Sequence, residues 1–228
     1  MAKREDSSAY LYHWTKSNIA IGNKNQWYEE AYRSLFMILS SFELRSGASQ
    51  GMLCGHDCIC FTGSPLSFIA NDTSKYQPFG LEFWKSNIYL LGGAFVIYCT
   101  KSDYELLPHE LRWRWMNHDP LLRDSRRPYG IDFSWEREVR VNAEKIILLG
   151  KSTIIEASSL GNIELAFRSI ILPDTNYEER LLYELDKYFA AKAHHDACND
   201  RHYDWLCEFF NDVIEEYRNR IIIVKPCS

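Results

Sequence analysis

The sequence contains no apolar run near the roughly 18 residues of a membrane-spanning helix, which excludes a bundle of such helices. Met1 to Ser8 are charged and polar, so a secretory leader is not expected. No Gly-x-Gly-x-x-Gly follows a strand, which removes a Rossmann dinucleotide site. The full Gly-x-x-x-x-Gly-Lys-Ser/Thr phosphate loop is missing too. No Gly-x-Ser-x-Gly nucleophile elbow is read anywhere, and there is no internal repeat or low-complexity segment. A basic excess is lacking: the net charge is −5, which does not advertise a nucleic-acid binder. The seven cysteines are an odd set without a regular framework. Reduced thiols and a cytoplasmic location are the natural expectation.

What is there fits an ordinary globular chain. Its 228 residues can bury one sizeable core, so a single domain over 1–228 is expected. Apolar residues make up 46% and charged residues 25%, while aromatics at 14% are numerous enough to line both a core and a ring-binding site. Charge is unevenly spread. Arg112, Arg114, Arg123, Arg126 and Arg127 interleave with Trp113 and Trp115, a combination suited to phosphate contacts and base stacking. A surface loop with local salt bridges accounts for the same residues. From Thr175 to Arg218 acids outnumber bases, eleven to five, a surface that suits a basic protein partner or plain solvation.

Periodicity predicts a strand over 10–15, a helix over 27–42 capped at Ser17 or Asn18, and a loop over 46–51. Strands are expected at 59–62, 80–83 and 95–99, and a helix from Pro108 to about Asn117. Further strands are expected at 146–149, 168–172 and 221–224, with amphipathic helices at about 176–193 and 203–217. Many short strands with helices between them indicate an α+β domain. Cys54, His56, Cys58 and Cys60 invite a metal. Zinc sites usually draw their ligands from two separated pairs, so a strand carrying small apolar cysteines is preferred and no metal is expected. His194, Cys198 and His202 at helical spacing read as a polar helix face.

The most informative stretch is Phe133-Ser134-Trp135-Glu136-Arg137-Glu138-Val139-Arg140-Val141. Read as a strand, it places Ser134, Glu136, Glu138 and Arg140 on one face. A carboxylate pair there is costly to bury without a purpose and is one way to present a catalytic acid. Glu–Arg cross-pairing on a solvated face is the plainer alternative. Upstream stand Tyr10-Leu11-Tyr12-His13-Trp14-Thr15, Cys58-Ile59-Cys60-Phe61-Thr62-Gly63-Ser64, Pro78-Phe79-Gly80-Leu81-Glu82-Phe83 and Gly92-Gly93-Ala94-Phe95-Val96-Ile97-Tyr98.

This ordered series, over about residues 8–145 with a strand near 168–173, resembles the ADP-ribosyltransferase-like toxins and phage-defence proteins of the DarT and AbiGi types. The resemblance implies a split mixed β-sheet with surrounding helices and an NAD+ site within about 8–145. The C-terminal part, about 175–218, would be helical. It implies a mono-ADP-ribosyltransferase with NAD+ as substrate and no metal, acting in a toxin–antitoxin or abortive-infection setting.

By the same resemblance Glu138 is the catalytic glutamate, Glu136 selects the acceptor, and the two roles are open to exchange. Arg45 is a candidate by position. His13 binds a ribose hydroxyl, with Thr15 assisting, and Phe61, Thr62, Gly63 and Ser64 hold nicotinamide. Tyr76, Phe79, Tyr98 or Tyr129 stacks on its ring. The acceptor is expected to be RNA or DNA, met by Arg112, Arg114, Arg126 and Arg127. A protein acceptor, NAD+ hydrolysis and a non-catalytic antitoxin of the same fold stand as alternatives, as does an antitoxin partner.

Overall fold

The computed structural model describes residues 8–17, 22–47, 56–71, 76–124, 128–149, 165–197 and 203–225. In chain order these form β1 (Tyr10–Trp14), α1 (Lys24–Ser41), β2 (Glu43–Arg45), β3 (Ile59–Phe61), α2 (Leu66–Asn71), β4 (Gly80–Trp84), α3 (Lys85–Leu90), β5 (Ala94–Phe95), β6 (Ile97–Cys99) and α4 (Lys101–Tyr104). A 3-10 turn (His109–Arg114) leads into β7 (Trp115–Asn117), and a second (Ser134–Glu136) precedes β8 (Val139–Val141). Then come β9 (Lys145–Ile147), β10 (Ser169–Leu172), α5 (Thr175–Ala197), α6 (Tyr203–Arg220) and β11 (Ile221–Ile223). The class is mixed α+β with several small sheets. No helix among the described residues is long and apolar enough to cross a membrane.

The chain separates into two compact units. The first comprises Met1–His13, Leu44–Phe68 and Phe83–Ile146; the second comprises Trp14–Glu43, Ile69–Glu82 and Ile147–Ser228. In the first, β8 is the middle strand of an antiparallel three-stranded sheet, order β3-β8-β5. Its register sets Arg140 opposite both Cys60 and Ala94, and Val139 opposite Phe61 and Phe95. Alternation sends Val139 and Val141 to one face with Ile59 and Phe61, all buried. The parallel pair β6–β7 lies in the same unit, with Tyr98 opposite Met116.

In the second unit Ser169–Leu172 pairs antiparallel with Gly80–Glu82, Ile170 opposite Leu81, and parallel with Ile221–Ile223, Ile171 opposite Ile222. Ile170, Ile171 and Leu172 are fully buried, as expected for an interior strand whose faces are both covered. Helix α1 begins at Asn23, whose side chain accepts from the Gln26 amide while the Gln26 side chain accepts from the Asn23 amide, a complete capping box. Ser17, an expected cap, is therefore not the cap, and Asn18, the other, lies outside the described residues. Helices α5 and α6 pack their apolar faces together, and the Phe42 and Phe210 rings each stack on Phe189, at 5.5 and 4.6 Å between centroids.

Three expected elements differ. Residues 95–99 split into β5 and β6 around buried Val96, and Phe95 is exposed. The helix expected after Pro108 is a 3-10 turn that passes into β7. Most consequentially, 133–138 is not a strand. Ser134–Glu136 is a 3-10 turn, and Arg137 closes it in the left-handed region at φ 48°. Glu136 and Glu138 therefore do not alternate along a β face. They flank a left-handed residue that ends one element before the next begins.

Candidate functional site

The turn at 134–138 is fastened to the segment after β3. The Gly63 amide donates to the Glu136 and Arg137 carbonyls at 3.0 and 3.2 Å, and the Ser64 hydroxyl donates to the Trp135 carbonyl. A Cβ at Gly63 would stand 2.9 Å from the Arg137 oxygen, so the approach is one that only glycine permits. Strand β1 joins on the other side of β3, where Tyr12 and Thr62 exchange amide–carbonyl bonds at 3.0 and 2.8 Å. On the β5 side, the Val96 amide donates to the Glu138 carbonyl at 3.1 Å. His13, Phe61, Thr62, Gly63, Ser64, Tyr98, Glu136 and Glu138 thus meet within the first unit.

The two carboxylates are buried, Glu136 at 3% and Glu138 at 4% exposure, and Arg140 is buried beside them at 3%. Arg140 Nε donates to Glu138 Oε1 at 2.6 Å, a charge-assisted bond between two buried groups. The Cys60 thiol is pushed well above its usual range by burial and by the Glu138 carboxylate to which it hydrogen-bonds, so it is a neutral donor. Burial likewise moves Cys58 up to about 11. Tyr98 is pushed up to about 12, chiefly by burial. Its hydroxyl accepts from the Glu138 amide at 3.2 Å and lies 3.3 Å from the Phe133 carbonyl, to which it donates.

His13 is held by Nδ1, 3.0 Å from the Cys60 carbonyl. A carbonyl only accepts, so Nδ1 carries the proton. Burial lowers the imidazole pKa while this bond pulls the other way. The ring is therefore neutral near pH 7 and Nε2 is an acceptor, the polarity needed to receive a hydroxyl proton.

Other expected residues are placed elsewhere. Thr15 belongs to the second unit, where its buried hydroxyl faces the Ala31 and Phe79 carbonyls at 2.8 and 3.2 Å. Phe79 is fully buried among Tyr28, Tyr32 and Tyr177 in that same unit, which removes it as a stacking platform. Tyr129 is widely exposed. Arg45 is exposed at the end of β2.

Arg112 donates to the Leu107 and Glu105 carbonyls and lies over the Tyr104 ring at 5.0 Å; Arg114 donates to the Phe95 carbonyl. Arg126 and Arg127 lie outside the described residues, as do Cys54, Cys198 and His202. Among the described residues no group of three or more His, Cys, Asp or Glu has the arrangement to hold a metal ion.

Sequence reasoning passed over Arg140 and Cys60 as parts of the site. Their signal was register: on facing strands, the residue two positions after Glu138 pairs with Cys60. It also passed over Gly47-Ala48-Ser49-Gln50-Gly51, which does fit Gly-x-Ser-x-Gly; Ala48 to Gly51 lie outside the described residues. No protein-family model, no curated protein and no solved structure matches the chain.

Proposed function

We propose that the first unit is the NAD+ site of a mono-ADP-ribosyltransferase, with the split mixed sheet of that family as its architecture. The observation that carries the reading is that one unit holds neutral His13 against the Cys60 carbonyl, Gly63 against the Glu136 and Arg137 carbonyls, and the two glutamates buried.

In this reading the ribose–nicotinamide N-glycosidic bond breaks and nicotinamide leaves as a neutral molecule, so no acid need protonate it. The ribose carbon develops oxocarbenium character, which an ionised Glu138 stabilises. His13 Nε2 receives a ribose hydroxyl hydrogen bond. The Phe61–Ser64 backbone and the Tyr98 ring flank nicotinamide. The new bond runs from the ribose carbon to a nucleophilic atom of the acceptor, whose proton passes to Glu136.

The acceptor we propose is a nucleic acid, within a toxin–antitoxin or phage-defence system. Support comes from the Arg/Trp segment that contains Arg112, Arg114, Arg126 and Arg127. A protein acceptor or water would use the same NAD+ chemistry.

One observation favours a second reading. Arg140 neutralises Glu138, as in a structural ion pair, and a non-catalytic binding module or antitoxin needs nothing more. Labelled NAD+ with separate RNA, DNA and protein fractions tests all of these. Label on RNA or DNA, sensitive to Glu138→Gln, supports the main reading. Label on protein moves the acceptor. Nicotinamide release without label transfer indicates hydrolysis. Intact NAD+ in every fraction leaves the binding module.

A further inference from the structure

Arg140 makes more contacts than one ion pair requires. Besides Glu138, its Nη1 donates to the carbonyls of Trp113 at 2.9 Å and Trp115 at 2.7 Å. These carbonyls stand on either side of Arg114, where the first 3-10 turn gives way to β7. Carbonyls at a helical C-terminus lack intrahelical partners, and a cation there completes them. The same stretch is tied down by Arg114 Nε to the Phe95 carbonyl at 2.8 Å and by the Trp115 indole to the Cys99 carbonyl at 3.2 Å. One guanidinium thus spans the carboxylate after the left-handed turn and the backbone between two tryptophans. Only a planar fork reaches all three acceptors at once; an ammonium group is a single point.

We infer that Arg140 is a positioning residue that orients the Glu138 carboxylate and locks it to the Trp113–Trp115 segment, making the two a single mechanical unit. Its catalytic half rests on the ADP-ribosyl-transfer reading; its structural half does not. If Arg112 and Arg114 meet the acceptor, the residue that aims the carboxylate also sets the distance to the acceptor strand.

Among the described residues several groups face Glu138, and Arg137 adjoins it in the chain. Cys60 donates to the carboxylate from β3, with Cys58 and Asp57 behind it; Tyr98 binds the amide from β6; Glu136 lies across the turn. Arg140 is the cation that hydrogen-bonds the carboxylate, so its loss takes a charge-assisted bond from a buried group that has Glu136 close by.

The full-length protein, Arg140→Lys, Arg140→Gln and Glu138→Gln decide the matter. The Glu138 carboxyl carbon is followed by NMR against pH, assigned by its loss in Glu138→Gln, alongside nicotinamide release from NAD+. In Arg140→Gln the Glu138 midpoint should rise by about one to three pH units, and the acid limb of turnover should rise with it. Arg140→Lys should keep the midpoint near that of the parent. Its kcat should nevertheless fall about 10–100-fold, with KM for NAD+ within about twofold, because charge is retained and aim is lost. An unmoved Glu138 midpoint in folded Arg140→Gln overturns the inference. If that variant does not fold, full turnover by folded Arg140→Lys overturns it instead. If the parent protein releases no nicotinamide, the transfer reading falls, and the Glu138 midpoint alone still decides whether Arg140 governs the carboxylate.

Discussion

The two compact units are held by different physics. In the second, α5 and α6 pack over an aromatic and aliphatic interior in which Leu35, Leu39, Leu185 and Ile170 are fully buried. It has buried polar groups too, Glu82 bound by Ser169 and Arg168 among them, while its widest ion-pair network, Arg180 with Glu29 and Glu184, is half-exposed. In the first, strands of two to five residues are bridged by side chains that reach backbone: Ser64 to Trp135, Arg140 to Trp113 and Trp115, His13 to Cys60. Apolar burial is non-directional and tolerates sliding, whereas a hydrogen-bond lattice fixes direction. The unit proposed above to hold the NAD+ site is the one whose short strands are joined by such directional bonds.

The sharpest way to break this comparison is to cut the apolar interior of the second unit. Phe189→Ala removes a buried ring stacked against both Phe42 and Phe210 and should cost about 3–5 kcal/mol in urea unfolding. A loss below about 1 kcal/mol would mean that this interior is not what stabilises the unit.

Next comes the lattice. Gly63→Ala adds one methyl within 2.9 Å of the Arg137 oxygen and should cost about 1–3 kcal/mol. On the transfer reading proposed above, NAD+ turnover should fall as well, although no side chain assigned a role there is removed. Wild-type turnover in the folded variant would separate the turn from the chemistry.

Glu138→Gln keeps one acceptor oxygen for Arg140, removes the charge and turns the other oxygen into an NH2 donor. A stability change of about 1–2 kcal/mol with turnover abolished is the expected pattern. Loss of activity in Glu136→Gln alone would exchange the two roles.

His13 provides a pH test. Its folded pKa lies below the ordinary 6.5, so the unfolded chain binds more protons in that interval and stability rises with pH there. Denaturation midpoints should therefore fall as pH drops from 6.5 toward the folded value, and His13→Asn should flatten that slope. An unchanged slope would assign the acid loss to other groups. The smallest effect belongs to the rim: Arg180→Met should cost only about 0.2–1 kcal/mol, because the half-exposed network is screened.

Helices were legible because their period is long and repeated. The patterns over 176–193 and 203–217 lie within Thr175–Ala197 and Tyr203–Arg220. Strands β1, β4 and β10 were legible to within one residue at each end. The region from 95 to 138 was not, since elements of two to six residues are too short for period to decide. A run such as Ser134–Arg140 puts its acids two apart whether or not it is extended. What bends it is the contact with Gly63, some 73 positions upstream of Glu136, a pairing invisible to any local window. The gathering of His13, Thr62–Ser64 and both glutamates was visible only as an order of weak motifs. Arg140 drew attention as a cross-strand partner, but its reach to Trp113 and Trp115 depends on how the chain folds back.

The left-handed residue between the glutamates has a consequence for which sequences can occupy this position. If all twenty amino acids were placed at 137 and the folded, soluble clones counted, a strand would enrich valine, isoleucine and threonine. A residue at φ 48° enriches glycine and asparagine and discards the branched side chains, at about 1–2 kcal/mol each. Glu-Gly-Glu would then outlive Glu-Val-Glu, although the second is the better strand. The placement of the two acids thus hangs on a single torsion angle, and selection at 137 would read that angle directly.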